Sequence, residues 1–453
     1  MKQKGGIPMK RILSVAMTLA LLLCSLVLPA LAETKTYPDG VLQWWSTGQP
    51  EFRKQYFDTW LEAHRDIAPG VTIEATAIST TNDGQQKIAM YNLAGDYEAM
   101  PEILFLDTVG VVNMAMNDLL LEVTDYYTPI ADQFVDGAAA DATINGVIYA
   151  LPDAVRPQML FYNNAIFEKY DVDPAMMSTF DGYLEAGRLL KERSNGEVYL
   201  SYVDPSTYTW RYWGRRGLMP QAGARIWDEE GNVVIGEDPG TKLALGFFDQ
   251  LCSEDLLYKT NMMQQPLYEA TDEGKIATFY IGAFWDEFMR GNLTKTVGDW
   301  RVMAPPVFEE VGTSGAPVST YFCLVDTHDD TYTDLILQMW YDFATDGEAY
   351  KTWVNKMTEI NGPYNNPISK EMLTDPFWQE PSDFYGGQSF RKAESDALAN
   401  PSANMVVTPS DAEADEIISA EIEKYVAGEQ TMDEAIANMD RELKIRIGQA
   451  EMP

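Results

Sequence analysis

Val41-Leu42-Gln43-Trp44-Trp45 opens the stretch, running on to Asp107, that decides how this chain folds. The five residues read as a buried strand that ends in a Ser46-Thr47-Gly48 turn. Pro50-Glu51 then begins a helix to about His64, because Phe52, Tyr56, Phe57, Trp60 and Leu61 recur at helical spacing. Pro69-Gly70 stops it, and Val71-Thr72-Ile73-Glu74-Ala75 alternates as a second strand. A second helix is expected from about Asp83 to Ala94. Ile103-Leu104-Phe105-Leu106 is continuously apolar, as a strand covered on both faces must be, and it ends at Asp107-Thr108. Strand, helix, strand, helix, strand predicts an α/β protein with a parallel doubly wound sheet. Such sheets take ligands at the carboxyl ends of their strands.

Downstream, Gly146-Val147-Ile148-Tyr149-Ala150-Leu151-Pro152 reads as one strand and Met159-Leu160-Phe161-Tyr162-Asn163 as the next, with Asp153 to Gln158 crossing between lobes. Helices are expected over 181–192 and 241–253, and a hairpin over 226–235. The acidic tip of that hairpin lacks the ligand spacing of a calcium loop. Ile276 to Tyr280 leads into Gly282-Ala283-Phe284-Trp285, and Arg301 to Pro306 returns the chain to the first lobe. The remainder is mainly helical. The acidic runs Asp411 to Glu416 and Glu421 to Glu423 are expected to be solvated helix faces, and His64 and His328 to lie on the surface.

The N-terminus has the order of a bacterial export signal: Lys10-Arg11, an apolar run from Ile12 to Leu28, then Pro29-Ala30-Leu31-Ala32 before Glu33. The run is short for a membrane span, and no basic residue follows it. Residues 1–32 are therefore expected to be removed, releasing the chain after Ala32 into the periplasm or the extracellular space. Lipid anchoring at Cys24 is the alternative, disfavoured because Leu21-Leu22-Leu23 precede it where small residues are wanted.

Removing the four basic residues before Glu33 leaves 29 basic against 69 acidic side chains, a net charge of −40. That charge would repel a phosphate backbone, which excludes a nucleic-acid partner, and it keeps an exported protein soluble and monomeric. With 46% apolar and 12% aromatic residues over 453 positions, the chain can build two cores. Only Cys252 and Cys323 remain after cleavage. They can pair, but buried free thiols are expected. Two histidines, and no His-x-x-x-His, Cys-x-x-Cys, Gly-x-Ser-x-Gly or phosphate-loop pattern, argue against a catalytic triad, a metal site or a cofactor.

The order of these segments resembles the family 1 extracellular solute-binding proteins, the carbohydrate-capturing subunits of bacterial ABC importers. The pieces that match are the Trp44-Trp45 strand with its helix, Pro101 to Asp107, Gly146 to Pro152, Phe161-Tyr162-Asn163-Asn164, Gly282 to Trp285, Asp299-Trp300-Arg301-Val302 through Pro306, and Gly428 to Ala435. Two departures stand out: the lengthened turn Gly95-Asp96-Tyr97-Glu98-Ala99-Met100 before the third strand, and the missing lipid-attachment pattern.

The resemblance implies a two-lobed, hinge-linked fold of the type 2 periplasmic-binding-protein kind, closing on ligand in the interlobe cleft. Residues 33–153 and 306–346 would form the first lobe, and 154–305 and 347–453 the second. It also implies a non-enzymatic receptor that passes a mono- or oligosaccharide to a membrane permease. A receptor for another solute such as a polyamine, and a secreted carbohydrate-active enzyme, are the rivals.

A sugar needs polar groups in its ring plane and aromatic plates on its faces. Trp45, near the end of its strand, is the expected plate from the first lobe, with Trp213 and Trp285 from the second and Tyr321 on a returning strand. Asp107 is read either as an acceptor for sugar hydroxyls or as a helix N-cap. Arg156, just past the first crossing, is read either as a ligand contact or as half of an interlobe ion pair.

Overall fold

Leu42, Trp44 and Ser46 are buried on one face of the first strand, while Val41, Gln43 and Trp45 on the other face stay partly exposed. This is strand β1 (Gly40–Thr47) of a computed structural model that describes residues 35–47, 50–78, 81–312, 318–360, 362–398 and 407–449. The export segment, Cys24 and Glu33 lie outside the described residues.

β2 (Val71–Ile78) pairs parallel with β1 along its whole length, and β3 (Ile103–Asp107) pairs parallel on the other side. The expected strand 146–152 is two pieces. A hairpin of β4 (Thr143–Ile144) and β5 (Val147–Ile148) turns at Asn145-Gly146, where both residues have positive φ, as a tight two-residue hairpin loop requires. Then β6 (Leu151–Arg156) runs on past Pro152. After β6 come β7 (Gln158–Asn163), a short parallel pair of β8 (Ser201–Val203) and β9 (Leu257–Lys259), then β10 (Thr278–Gly282), β11 (Trp300–Met303) and β12 (Val318–Leu324).

Two principal sheets result. The first has the order β2-β1-β3-β12-β6, and the second β10-β7-β11. β12 runs antiparallel to both neighbours, so the first sheet is mixed rather than wholly parallel. The second is antiparallel throughout.

Each sheet is covered on both faces. On the first, Leu42, Trp44, Ile103 and Phe322 pack against the helices Pro50–Ala63 and Thr333–Thr345, and Leu104, Leu106, Tyr321 and Cys323 against Thr108–Met116. On the second, Leu160 and Tyr280 meet the helices Phe180–Arg193, Pro239–Ser253 and the C-terminal pair Asp411–Ala427 and Met432–Arg446. Its other face packs on Trp285–Asn292 and Phe390–Leu398.

These cores redraw the expected boundaries. Tyr350, Trp353, Met357, Met372 and Trp378 belong to the first core, whereas Phe384 and Phe390 belong to the second. Residues 347–378, expected with the second lobe, therefore pack into the first, because their aromatic face meets Phe343 and Tyr56 rather than the second sheet. Phe308 likewise packs in the second lobe, so the middle crossing falls after it, before β12. The first crossing is at Pro157, between β6 and β7.

The acidic stretches are not simple solvated faces either. Asp411 is wholly buried, accepting from Arg215, Trp227 and Thr408, and Glu421 is buried among Lys424, Gln430 and Asn438. Cys252 and Cys323 are both free and sit in different lobes. Among the described residues no helix is long and apolar enough to cross a membrane.

Candidate interlobe binding cleft

The carboxyl ends of β1 and β3 and the start of helix Pro50–Ala63 face the second lobe across a cleft of about 430 Å³. From the first lobe come Trp44, Ser46, Phe52, Arg53, Phe105, Asp107, Asp153, Arg156, Thr320, Trp353 and Tyr364. The second contributes Arg211, Tyr212, Arg216, Phe284, Glu287 and Phe288. A hollow of about 590 Å³ beside Cys252, Tyr425 and Gln430 is larger, but one lobe alone forms it. Of these two hollows, the cleft is the one that lobe closure would enclose.

Of the residues singled out from sequence, Asp107 and Arg156 line this cleft and four others do not. Trp45 lies on the opposite face of β1, edge-on to Tyr91, and its neighbour Trp44 is turned to the cleft. Trp213 is buried in the second core, donating from Nε1 to the Tyr202 carbonyl at 3.1 Å, and Tyr212 lines the cleft in its place. Trp285 is fully buried between Tyr268 and Phe288, whereas Phe284 reaches the cleft. Tyr321 points into the core beneath helix Thr108–Met116, while Thr320 faces the cleft and donates to Asp153 at 3.2 Å. Each correction is a shift of one residue. On a strand that shift reverses the face, and in the two second-lobe pairs the indole, having more surface to remove from water, takes the core position.

The aromatic walls are therefore Trp44, Phe52, Trp353 and Tyr364 on one side and Tyr212, Phe284 and Phe288 on the other. Tyr212 and Phe284 have ring centroids 5.3 Å apart. Tyr212 belongs to a wide-turn helix, Thr209–Leu218, which also carries Arg211 and Arg216. Both guanidiniums lie over the Tyr212 ring, at 5.8 and 5.7 Å.

Charge in the cleft is concentrated and mixed. Asp107 serves as an N-cap, accepting from Gly110 N at 3.1 Å, and also accepts from Arg216 across the lobes at 3.1 Å. Burial alone would raise its carboxyl, but Arg216, Arg211 and the Gly110 N–H hold it below the usual carboxylate range. Arg53 pairs with the buried Asp153 and stacks over Phe105, Phe343 and Trp353, and burial brings its guanidinium down to about 10.

Arg156 donates to the Tyr364 carbonyl and to Asn365 Oδ1, so its partner is neither Asp107 nor any other carboxylate in the described residues. Glu287 is pushed up to about 7 by burial, with Asp286 reinforcing the rise and Arg156, Arg290 and Arg53 opposing it. Its Oε2 is buried without a hydrogen-bond partner, as is Trp44 Nε1. Arg53, Arg216 and Glu287 were not legible as a set, since they come from three separate elements far apart in the chain. The one local signal was the Tyr212-Trp213 pair with Arg215-Arg216 just behind it.

Among the described residues no cluster of histidine, cysteine and carboxylates is placed to hold a metal. Two α/β lobes joined by crossing strands around an aromatic, hydrogen-bonding cleft define a receptor of the periplasmic-binding-protein kind. The chain belongs to the bacterial extracellular solute-binding protein family, whose sequence profile it matches over residues 47–356.

It is similar to an arabinooligosaccharide-binding protein of Halalkalibacterium halodurans, 24% identical over 274 residues. That match covers 59% of this chain and 58% of the relative, so the chain spans a little over half of that relative's length. A lactose-binding protein of Rhizobium radiobacter is 21% identical over 433 residues, 93% of this chain and 94% of its own. The ABC-transporter-associated binding protein of B. animalis subsp. lactis Bl-04, solved in complex with β-1,6-galactobiose, shares the fold with a TM-score of 0.72. Its identity is 20%, and the match covers 91% of this chain and 98% of that one.

Proposed function

We propose that this protein is an exported receptor that captures a mono- or oligosaccharide in the interlobe cleft and hands it, chemically unchanged, to an ABC transporter permease. The observation that carries this reading is the cleft itself. Its opposed lobes supply aromatic rings for the C–H faces of a sugar and charged hydrogen-bonding groups for its rim, in a volume suited to a small ligand. The sugar-binding relatives support the same class of ligand. Export with cleavage after Ala32, and a monomeric mature chain, complete the proposal. An intact mass beginning at Glu33 without lipid checks the first of these.

A polyamine receptor would need carboxylates converging on ammonium groups, and the arginines of this cleft oppose that. A carbohydrate-active enzyme would convert its ligand. The test is a thermal-shift screen of the mature chain against mono- and disaccharides, with recovery of the bound sugar. A ligand at 100 times its dissociation constant should stabilise by about 2.7 kcal/mol and come back intact. A screen without any carbohydrate hit, or one returning a cleaved sugar, overturns the reading.

A further inference from the structure

The charge of the cleft runs against that of the chain. In a protein of net charge −36, Arg53, Arg156, Arg211 and Arg216 converge on one cavity that, among the described residues, is lined by three carboxylates, Asp107, Asp153 and Glu287. Two of those carboxylates are already used, Asp153 by Arg53 and Asp107 by Arg216. The remaining two arginines have no carboxylate within ion-pairing distance among the described residues. Arg156 is held by a carbonyl and an amide oxygen, and Arg211 is exposed into the cleft, its guanidinium making no hydrogen bond among the described residues. Arg211 and Arg216 also repel each other, which an anion placed between them would relieve. Desolvating an unpaired guanidinium as lobes close is costly unless the ligand brings the counter-charge. A neutral sugar brings none.

Resting on the receptor reading above, we propose that the cleft selects an acidic saccharide, one whose uronate carboxylate is received by Arg211 with Arg156 adding to the field. A planar carboxylate matches the fork of a guanidinium, and the aromatic rings leave the rest of the ligand its sugar character. The acidic exterior does not prevent this, because its field is screened within about 8 Å at physiological salt while the arginines act at contact.

The test uses the full mature chain and matched pairs that differ only in the acid group: α-1,4-digalacturonate against α-1,4-galactobiose, and cellobiouronate against cellobiose, by titration calorimetry. The acidic member of at least one pair should bind tenfold or more tightly than its neutral partner, and the ratio should shrink as salt is raised. Arg211→Met should weaken the acidic member at least fivefold more than the neutral one, with circular dichroism confirming the fold. Arg211→Lys, which keeps charge but loses the fork, should fall between.

Equal or tighter binding of the neutral members overturns the acidic selectivity and leaves the receptor reading standing. Tighter binding of galactose 6-phosphate than of either uronide overturns the carboxylate assignment. No binding by any saccharide, acidic or neutral, overturns both readings together.

Discussion

Phe284 and Trp285 are covalent neighbours with different surroundings. Trp285 is wholly buried against Tyr268, Phe279 and Phe288, whereas Phe284 turns its ring toward Tyr212 and the cleft. Their truncations should therefore register in different measurements. Trp285→Ala should cost ~3–5 kcal/mol in urea unfolding, since a cavity of indole size would open in a packed core. Phe284→Ala should weaken binding of the best saccharide from the screen by about 1 kcal/mol, roughly fivefold, with a much smaller loss of stability. If Trp285→Ala unfolds at the wild-type urea concentration, its place in the core is wrong. The same pairing explains what was legible about the site. The family resemblance and the search for aromatic plates led to Trp45, Trp213, Trp285 and Tyr321, each the neighbour of a residue that lines the cleft. Which member of each pair turns inward depends on the helices packed on each face, and no local pattern carries that information.

At the scale of elements, helix Asp411–Ala427 shows how an acidic run can be structural. Its first residue accepts from Trp227 Nε1 at 3.1 Å and from Thr408 Oγ1 at 3.0 Å, and it pairs with Arg215, which is itself nearly buried. Asp415 accepts from Trp210 Nε1 at 2.7 Å one turn further on. These bonds fasten the C-terminal helices to the wide-turn helix that carries Tyr212 and Arg216. Asp411→Ala should destabilise the protein by about 3 kcal/mol, because buried Arg215 would keep only its longer contact with Asp415 and buried Trp227 Nε1 would lose its acceptor. The double variant Asp411→Leu/Arg215→Met should recover much of that loss in the same urea titration. A single variant as stable as wild type would mean that Arg215 reaches solvent. The strand and helix order through Asp107 and the helices near 181–192 and 241–253 were readable because periodicity and breakers are local signals. The antiparallel insertion of β12, the packing of 347–378 on the first lobe and the burial of Asp411 all depend on residues more than 150 positions apart, and sequence patterning does not report them.

Across the whole molecule, carboxyl groups held up by burial meet where the lobes join. Glu287 lines the cleft from the second lobe, and Glu394, only 3% exposed on helix Phe390–Leu398, lies close enough to Arg156, Asp286 and Arg391 to feel their charges. Burial pushes both up to about 7 from an ordinary 4.5. For Glu394, Asp286 adds to the rise and Arg156 and Arg391 oppose it. The folded protein therefore holds these protons over a range in which the unfolded chain has released them. Their contribution to stability is complete below about 4.5 and is lost as pH rises through about 7. Carboxylates held low, such as Asp107, are fully ionised in both states above pH ~5.5 and add no slope there. Urea unfolding of the ligand-free protein should show stability falling between pH ~5.5 and ~8, by an amount of the order of 2 kcal/mol from Glu394 and less from the more exposed Glu287. Glu287→Gln/Glu394→Gln, which replaces both carboxyls with groups that cannot ionise, should flatten that slope and make the variant the more stable protein at pH ~8. Parallel slopes for wild type and variant would mean that both carboxyls reach water in the open cleft, and that the lobes in solution stand further apart than the Arg216 to Asp107 bond implies.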